Sequence, residues 1–283
     1  MRILVTGARG MLGTDLVPEL ARVHAVTATD VDDLDVRDGD QVRAAVARLR
    51  PELIVHLAAL TDVDACERAP DDTYRTNAVG TQLVAVAARR AGAALLYMSS
   101  LSVFDGAKPE PYTEFDATGP LNIYSRAKLA GEEAIREMVP RHYIVRSTGL
   151  FGGGPHDKKF VRKILDRARG GGPVPAVDDI YSSPTSTLDL SRALAWLIGT
   201  ELYGTTHLVN RGYCTRYEYA RAILEAAGLG TDCLVPVHAD AFPLVAPRPR
   251  MEAAVNYRLQ LLGQDPMRPW ETALVEYVHT LAR

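Results

Sequence analysis

The chain has 283 residues, of which 47% are hydrophobic and 24% are charged. That length supports one large core with a smaller appended unit and is too short for three independent domains. Its 32 Lys and Arg against 35 Asp and Glu leave a net charge of −3, so we expect no basic surface for a nucleic acid. No apolar stretch approaches the roughly 20 residues that a membrane helix needs, and no signal peptide is predicted. We therefore expect neither nucleic-acid nor membrane partners.

The cysteines indicate a reducing environment. Cys66, Cys214 and Cys233 are odd in number and widely separated, so they predict neither a disulfide framework nor a zinc site. No set of His, Cys or carboxylate residues has the spacing of metal ligands, and we expect no metal. A cytoplasmic location is the prediction that follows.

Short β-branched runs alternate with alanine-rich helical stretches through the first half of the chain. The order is RILVT, a helix over 11–21, HAVTAT, a helix over 38–49, ELIVHLA, a helix over 74–91, AALLYMS, a helix over 122–139 and HYIVRS. Such alternation is typical of a parallel sheet covered by helices on both faces. It predicts an α/β fold whose residues 1–150 form a Rossmann-type, doubly wound dinucleotide-binding domain.

Beyond Leu150 the alternation breaks. The Gly- and Pro-rich segments FGGGPHDKK and GGGPVPAVDD surround a basic helical stretch, FVRKILDRA. Further helices are predicted over 188–199, 216–227 and 270–281. We interpret residues 151–283 mainly as a smaller substrate-binding subdomain and lid, with some segments returning to the Rossmann sheet.

The segment TGARGMLG places glycines directly after the first strand and at the start of the first helix. Glycine lets a backbone turn sharply and approach a pyrophosphate, whose charge then lies against free N–H groups of the helix. An acidic residue at the end of the second strand and small residues after the third complete the pattern. The predicted cofactor-binding residues here are Gly7, Gly10, Met11, Leu12, Gly13, Asp30, Asp35, Val36, Leu57, Ala58 and Ala59.

The residues leave the choice between NADH and NADPH open. As a ligand of the adenosine ribose, Asp30 would repel a 2′-phosphate and favour NADH. Arg9 or Arg37 would instead pair with that phosphate. Other candidates for the ribose contact are Asp32, Asp33 and Asp35.

Tyr124 and Lys128 stand four residues apart in NIYSRAK and share one face if this segment is helical. A cation beside a phenol lowers the pKa of the phenol, which makes Tyr124 a candidate general acid or base. Ser100, with Ser99 as its rival, ends a strand at the carboxyl edge of the sheet, where a hydroxyl can bind a substrate carbonyl. Together with the glycine turn, these residues predict reversible hydride transfer between a nicotinamide cofactor and an alcohol or ketone.

Several segments, in the same order over nearly the whole chain, resemble the extended short-chain dehydrogenase/reductases and, within them, the dTDP-4-dehydrorhamnose reductases. The segments are TGARGMLG, HLAALTDVDACE, RTNAVGT, MSSLSVFDG, PLNIYSRAKLAGE, RSTGLFG and SSPTSTLDLSRAL. The resemblance implies reduction of the 4-keto group of a nucleotide-linked, dTDP-carried 4-keto-6-deoxysugar by NADPH or NADH. It also suggests a homodimer.

The same resemblance implies residue roles. Ser100 would polarise the carbonyl, Tyr124 would protonate the developing alkoxide, and Lys128 would hold the nicotinamide ribose and the pKa of the tyrosine. Asn77 matches an asparagine near the cofactor, and its alternative is a hydrogen bond to backbone. Thr61 matches a threonine of the sugar site.

The chain departs from the family pattern around the predicted sugar pocket. Leu101 and Ser102 stand where the family has aspartate and tyrosine, Gly149 where it has tryptophan, and Ser125 where it has glycine. The departures predict a wider and less polar pocket with Leu101 and Gly149 in its wall. Candidates for contact with a nucleotide diphosphate are Arg248 and Arg250, then Lys158 and Lys159.

Two other functions compete with the reductase. An NAD(P)-binding regulatory subunit, resembling the β subunit of methionine adenosyltransferase, would keep the dinucleotide site and use the altered pocket for a partner protein. A nucleotide-sugar epimerase would use the same cofactor. Dehydratase chemistry is disfavoured because Leu101 and Ser102 cannot supply the Asp-Glu pair of the 4,6-dehydratases.

Overall fold

A parallel β-sheet organises the fold in the computed structural model, which describes residues 1–154, 157, 160–242 and 244–281. Its strands run in the order β10-β5-β4-β3-β1-β2, and every neighbouring pair is parallel. The predicted Rossmann-type α/β fold is confirmed. The strands are β1 (Arg2–Thr6), β2 (Ala25–Thr29), β3 (Leu53–His56), β4 (Ala94–Ser100), β5 (His142–Ser147) and β10 (Gly204–His207).

Helices cover both faces of this sheet. On one face α1 (Met11–Ala21) packs against α8 (Thr187–Leu197), and on the other α5 (Thr81–Ala91) lies between α2 (Gly39–Leu49) and α6 (Ile123–Met138). Each face buries its own apolar cluster, which accounts for the nearly continuous apolar runs of β3 and β4. The order of the strands reverses between β1 and β3, and the crevice at such a point is where a parallel α/β sheet binds its ligand.

The helix predicted over 74–91 is interrupted. A π-helical segment (Tyr74–Gly80) precedes α5, and two short helices that were not predicted, α3 (Val63–Arg68) and α4 (Pro70–Thr73), come before it. Asp62 caps α3 by accepting a hydrogen bond from the Ala65 N–H, and Pro70 opens α4. The π-helical segment is explained by a tertiary contact and not by its local sequence. It buries Asn77, whose side chain hydrogen-bonds to Leu60 in the loop after β3.

The second half of the chain adds a third apolar cluster. It is built by α7 (Phe160–Arg169), α9 (Arg216–Ala226) and α11 (Trp270–Leu281) against the parallel pair β7 (Val174–Val177) and β12 (Leu234–Val237). The helices predicted over 188–199, 216–227 and 270–281 agree with α8, α9 and α11 within two residues at either end. Two candidate residues, Lys158 and Lys159, lie outside the described residues.

Short strands after β5 form two further small sheets. β6 (Leu150–Phe151) pairs with β9 (Thr185–Ser186), and β8 (Tyr181–Ser182) lies between β11 (Cys214–Thr215) and β13 (Met251–Glu252). The remaining helix is α10 (Tyr257–Leu261). In the part of the chain that the structure describes, no helix has both the length and the apolar character needed to cross a bilayer.

Candidate active site

The turn after β1 brings the glycine segment against the residues that follow β3. Gly7 has a φ of +70°, and a Cβ there would lie 2.6 Å from the Ala58 N atom. A Cβ at Gly13 would lie 2.3 Å from the carbonyl oxygen of Ala8. Helix α1, capped by Gly10, has no side-chain cap and no acidic residue in its first turn. Both glycines are therefore required by close packing, and the first N–H groups of α1 are available to a pyrophosphate.

Asp30 follows β2, as predicted, and its carboxylate organises the glycine turn. One oxygen accepts a hydrogen bond from the Arg9 N–H at 2.8 Å, and the other accepts one from the Val31 N–H at 2.9 Å. The guanidinium group of Arg9 pairs with Asp32 at 2.8 Å and with Asp33 at 3.2 Å. These three aspartates and Arg9 therefore form one exposed cluster at the predicted ribose position.

Asp35 and Arg37, the second acidic and basic pair near this position, form an ion pair with each other. Asp35 accepts hydrogen bonds from the Arg37 guanidinium at 2.7 and 2.9 Å, which lowers the pKa of its carboxyl. Val36 is buried and packs against Gly80, where a Cβ would lie 3.1 Å from Val36 Cγ2. The structure thus places Arg37 against Asp35 and uses Val36 to support the π-helical segment.

Asn77 holds the loop after β3 in place. Its side-chain oxygen accepts a hydrogen bond from the Leu60 N–H at 2.8 Å, and its side-chain N–H donates to the Leu60 carbonyl at 2.9 Å. The backbone alternative for Asn77 is therefore the contact seen here. Thr61 comes directly after this fixed residue and is exposed, while Leu57, Ala58 and Ala59 are half-buried.

The first glycine-rich segment of the second half packs onto the start of α1. Gly153 has a φ of +70°, and a Cβ there would lie 2.6 Å from Met11 Cγ. Its N–H donates to Asp15 at 3.2 Å, and Asp15 also accepts a hydrogen bond from Thr187 of α8. Met11 is half-buried beneath this segment, whereas Leu12 belongs to the apolar core. The segment therefore forms a wall beside the predicted pyrophosphate site.

The start of α6 fixes Tyr124 in position. Asn122 caps the helix, accepting hydrogen bonds from the Ser125 N–H at 2.9 Å and from the Ser125 hydroxyl at 2.8 Å. Glu67 of α3 accepts a hydrogen bond from the Ile123 N–H at 2.9 Å. Ser125, which stands where the family has glycine, is fully buried and is the partner of this N-cap. The asparagine before an apolar helix was a sequence signal for this cap.

The helical register puts Lys128 one turn after Tyr124 on the same face, as predicted. Lys128 is buried, with its Nζ 4.4 Å from the ring centroid of Tyr97, and burial lowers its pKa to about 7. The expected lowering of the Tyr124 pKa is wrong. Burial raises the pKa of Tyr124, a hydrogen bond with Ser100 offsets part of that rise, and the charge of Glu252 adds to it. A buried lysine that readily loses its own charge gives the phenol little electrostatic help.

Ser99 and Ser100 have different surroundings at the end of β4. The Ser99 hydroxyl donates to Glu132 at 2.5 Å, which fastens it to α6. The Ser100 hydroxyl lies 2.8 Å from that of Ser102 and interacts with Tyr124. The structure thus brings Ser100, and not Ser99, to the tyrosine.

The predicted walls of the sugar pocket behave differently from expectation. Leu101 starts a 3-10 turn that buries its side chain to 1% exposure among Phe104, Tyr112 and Met251. Direct contact between Leu101 and a substrate is therefore a wrong prediction. Gly149 is exposed and has a φ of +59°, and a Cβ there would lie 2.9 Å from Ser182 Oγ. This backbone requires glycine, and its place in the pocket wall stays a prediction.

The two arginines predicted for the diphosphate are engaged with carboxylates. Arg248 pairs with Asp64 of α3 at 3.0 Å and donates to the Ala246 carbonyl at 2.7 Å, so it fastens the last third of the chain to the Rossmann half. Arg250 is 66% exposed and pairs with Asp179 at 3.4 Å, in a group that also holds Asp178 and His238. The ligand atoms of Asp178, Asp179 and His238 lie within 4.8 Å of one another, and the absence of a metal stays a prediction.

Glu252 is the residue of the site that the sequence did not reveal. It ends β13, its charge acts on Tyr124, and burial raises the pKa of its carboxyl against the opposing effects of Arg216 and Thr148. Its position depends on pairing between β13 and β8, far apart in the chain, for which no local signal exists.

Three features define the class of protein: the order of the strands, the glycine turn, and the Ser, Tyr and Lys side chains at the carboxyl edge of the sheet. They are those of a short-chain dehydrogenase/reductase of the extended type. A sequence profile of the family described as RmlD substrate binding domain matches residues 1–283. The chain belongs to this family.

Its relatives are similar over nearly their full length. A dTDP-4-dehydrorhamnose reductase from Streptomyces griseus is 39% identical, covering 97% of this chain and 92% of its own. The crystal structure of a dTDP-4-dehydrorhamnose reductase from Clostridium acetobutylicum superposes with a TM-score of 0.96 at 35% identity and 100% coverage of both chains. One from Bacillus anthracis, in complex with NADP, gives a TM-score of 0.94 at 35% identity and 99% coverage of each chain.

Proposed function

We propose that this protein reduces the 4-keto group of a dTDP-linked 4-keto-6-deoxysugar with NADPH or NADH. The observation that carries the proposal is the meeting of Ser100 with Tyr124, one helical turn from Lys128, beside the glycine turn. The similarity to reductases of this substrate class, one of them solved with NADP, supports the choice of substrate and cofactor.

The residues around the glycine turn fit a dinucleotide, because the turn at Gly7 carries no side chain and α1 begins without a side-chain cap. In the proposal Gly7, Gly10 and the first N–H groups of α1 hold the pyrophosphate. Asp30 contacts the adenosine ribose, and Lys128 contacts the nicotinamide ribose. NAD(P)H, when bound, supplies the hydride.

Tyr124 is the proposed proton donor. Because burial raises its pKa, the phenol stays protonated at neutral pH and can donate to the oxygen that becomes the alcohol. Ser100 polarises the same oxygen with its hydroxyl. Asn77 acts through Leu60 by fixing the loop that faces the cofactor, and Thr61, at the end of that loop, contacts the sugar.

The test follows nicotinamide absorbance with NADH and NADPH in parallel and a panel of dTDP-4-keto-6-deoxysugars. We expect Tyr124→Phe to lower kcat by about 10²- to 10⁴-fold while thermal stability is unchanged. The matched control is Tyr213→Phe, which alters a tyrosine that is 47% exposed. Cofactor binding without turnover of any sugar would overturn the reductase and favour the regulatory subunit.

The proposal extends to assembly and location. We propose a homodimer, as the family resemblance suggests, and a cytoplasmic site of action, which the free thiols of Cys66, Cys214 and Cys233 support. Light scattering at working concentration tests the first, and twice the mass of the chain is the expected result.

A further inference from the structure

The end of β13 brings a carboxylate to the carboxyl edge of the main sheet. Glu252 pairs in register with Ser182 of β8, and Ser182 Oγ lies 2.9 Å from the point where a Cβ on Gly149 would stand. Thr148, the neighbour of Gly149, follows the residue of β5 that pairs with Ser100. Consecutive neighbours thus connect Glu252 with Ser100, and the charge of Glu252 acts on Tyr124, the proposed proton donor.

In the part of the chain that the structure describes, the Glu252 carboxylate forms no direct ion pair. It is half-buried, and no Lys, Arg or His among the described residues lies within 4.0 Å of it. The nearby Arg248 is taken by Asp64 at 3.0 Å, and Arg216 acts on Glu252 only at longer range. The Thr148 hydroxyl hydrogen-bonds to this carboxylate, and the further lone pairs of its two oxygens give it acceptor capacity for a bound ligand.

The backbone of Gly149 is exposed near the residue that pairs with Glu252. Gly149 is exposed and carries no side chain, and its φ of +59° and its contacts with Ser182 and Ser183 disfavour any replacement. The surface between Glu252 and Ser100 is consequently bordered by a residue that contributes only backbone.

We propose that Glu252 is a specificity-determining residue whose carboxylate accepts hydrogen bonds from ring hydroxyl groups of the sugar portion of the substrate. The inference rests on the proposed function, because it places the sugar next to Tyr124 and Ser100. A carboxylate forms strong, charge-assisted hydrogen bonds with hydroxyl donors. A sugar without the contacted hydroxyl loses this hydrogen bond to the half-buried carboxylate and is bound more weakly.

The test compares two probes by calorimetry, dTDP-glucose and dTDP, on the full chain saturated with cofactor. Glu252→Gln keeps the shape and removes the charge. We expect it to weaken binding of dTDP-glucose by about 10- to 100-fold and binding of dTDP by less than about 2-fold. In turnover, the KM for the keto sugar rises by a similar factor while kcat changes little.

Two further variants keep the test decisive. Glu225→Gln makes the same chemical change on an exposed residue of α9 and leaves both affinities unchanged. Glu252→Asp keeps the charge on a shorter side chain and gives an intermediate loss, which a merely structural role would not produce. Equal loss for both probes, or no loss for dTDP-glucose, overturns the role of Glu252. Failure of the unaltered protein to bind dTDP counts against the proposed function instead.

Discussion

Lys128 holds an ammonium group at a position where only 3% of the residue is exposed, with its Nζ over the ring of Tyr97. Burial lowers its pKa from 10.5 to about 7, and the charge of Glu132 opposes that effect. Between pH 7 and 10.5 the unfolded chain therefore binds more protons than the folded one, so stability rises with pH across this window. Below pH 7 the full cost of burying the charge is present.

Replacing Lys128 with an apolar residue of similar length tests whether burying its charge destabilises the fold. We expect Lys128→Met to be more stable than the parent at pH 6.5 by about 1–4 kcal/mol, with the gain shrinking toward pH 10. Urea unfolding at pH 6.5, 8 and 9.5 measures it. Lys163→Met, at an exposed position of α7, is the control. A difference that does not vary with pH would contradict the assigned pKa.

At the residue scale, spacing predicted more than environment did. The shared face of Tyr124 and Lys128 follows from helical geometry and was predictable. The direction of the Tyr124 pKa was not, because it depends on burial by segments distant in the chain. The prediction that Leu101 lines the pocket failed for a similar reason. Its side chain points into the core because of a 3-10 turn, and no local sequence pattern predicts that turn.

Helix α6 is fastened to the sheet through one buried carboxylate. Glu132, fully buried, accepts two hydrogen bonds from Arg146 of β5, at 2.7 and 2.9 Å, and one from Ser99 of β4 at 2.5 Å. These interactions lower the pKa of Glu132 despite burial. The helix that carries Tyr124 is thereby fixed against two strands whose ends form the site.

Removing this charge leaves Arg146 buried without its partner. We expect Glu132→Gln to lower the free energy of unfolding by about 3–5 kcal/mol, and to lower the pKa of Lys128 further because Glu132 raises it. Denaturant unfolding and the pH profile of kcat measure the two effects. The neighbouring exposed Glu133→Gln is the control, and parity between the two variants would refute this role.

At the element scale, long periodic helices and buried strands were predictable from the chain itself. The helices α3 and α4 were missed because they are short and owe their burial to α6. The π-helical segment was also missed. Its wider turn is associated with the hydrogen bond between Asn77 and Leu60, two residues that lie 17 positions apart in the chain.

Two histidines buried far from each other make the whole molecule sensitive to acid. His56 hydrogen-bonds with Thr6 and Thr81, at 2.7 and 3.0 Å, and His207 contacts the Val255 carbonyl at 3.2 Å. Burial lowers the pKa of each to about 3. Between pH 6.5 and 3 the unfolded chain therefore binds protons that the folded chain does not, and stability falls as the pH falls.

The expected loss is up to about 2.7 kcal/mol per pH unit between pH 6 and 4.5, from about 1.36 kcal/mol for each histidine. Denaturant unfolding at several pH values measures the slope. His207→Gln halves the slope, whereas His279→Gln, at an exposed position of α11, leaves it unchanged. A parent protein equally stable at pH 6 and pH 4.5 would rule out this linkage.

At the scale of the whole molecule, the alternation of strands and helices was sufficient to predict the fold class. It did not locate the last strand of the sheet, because β10 is a short run, GTTH, whose pairing with β5 is decided by the folded first half. The domain boundary predicted at residue 150 therefore does not separate two folding units, because β10 belongs to the main sheet. It remains a prediction about the division of function.

The pairing of β10 with β5 has a consequence for the growing polypeptide. Synthesis proceeds at about 5–20 residues per second, and more than 50 residues separate the two strands, so β5 emerges from the ribosome several seconds before its outer neighbour exists. During that interval the apolar strand HYIVRS is an open edge that invites pairing with other chains. We therefore expect newly made chains to pass through a stage in which this open edge favours association with other chains or with a chaperone.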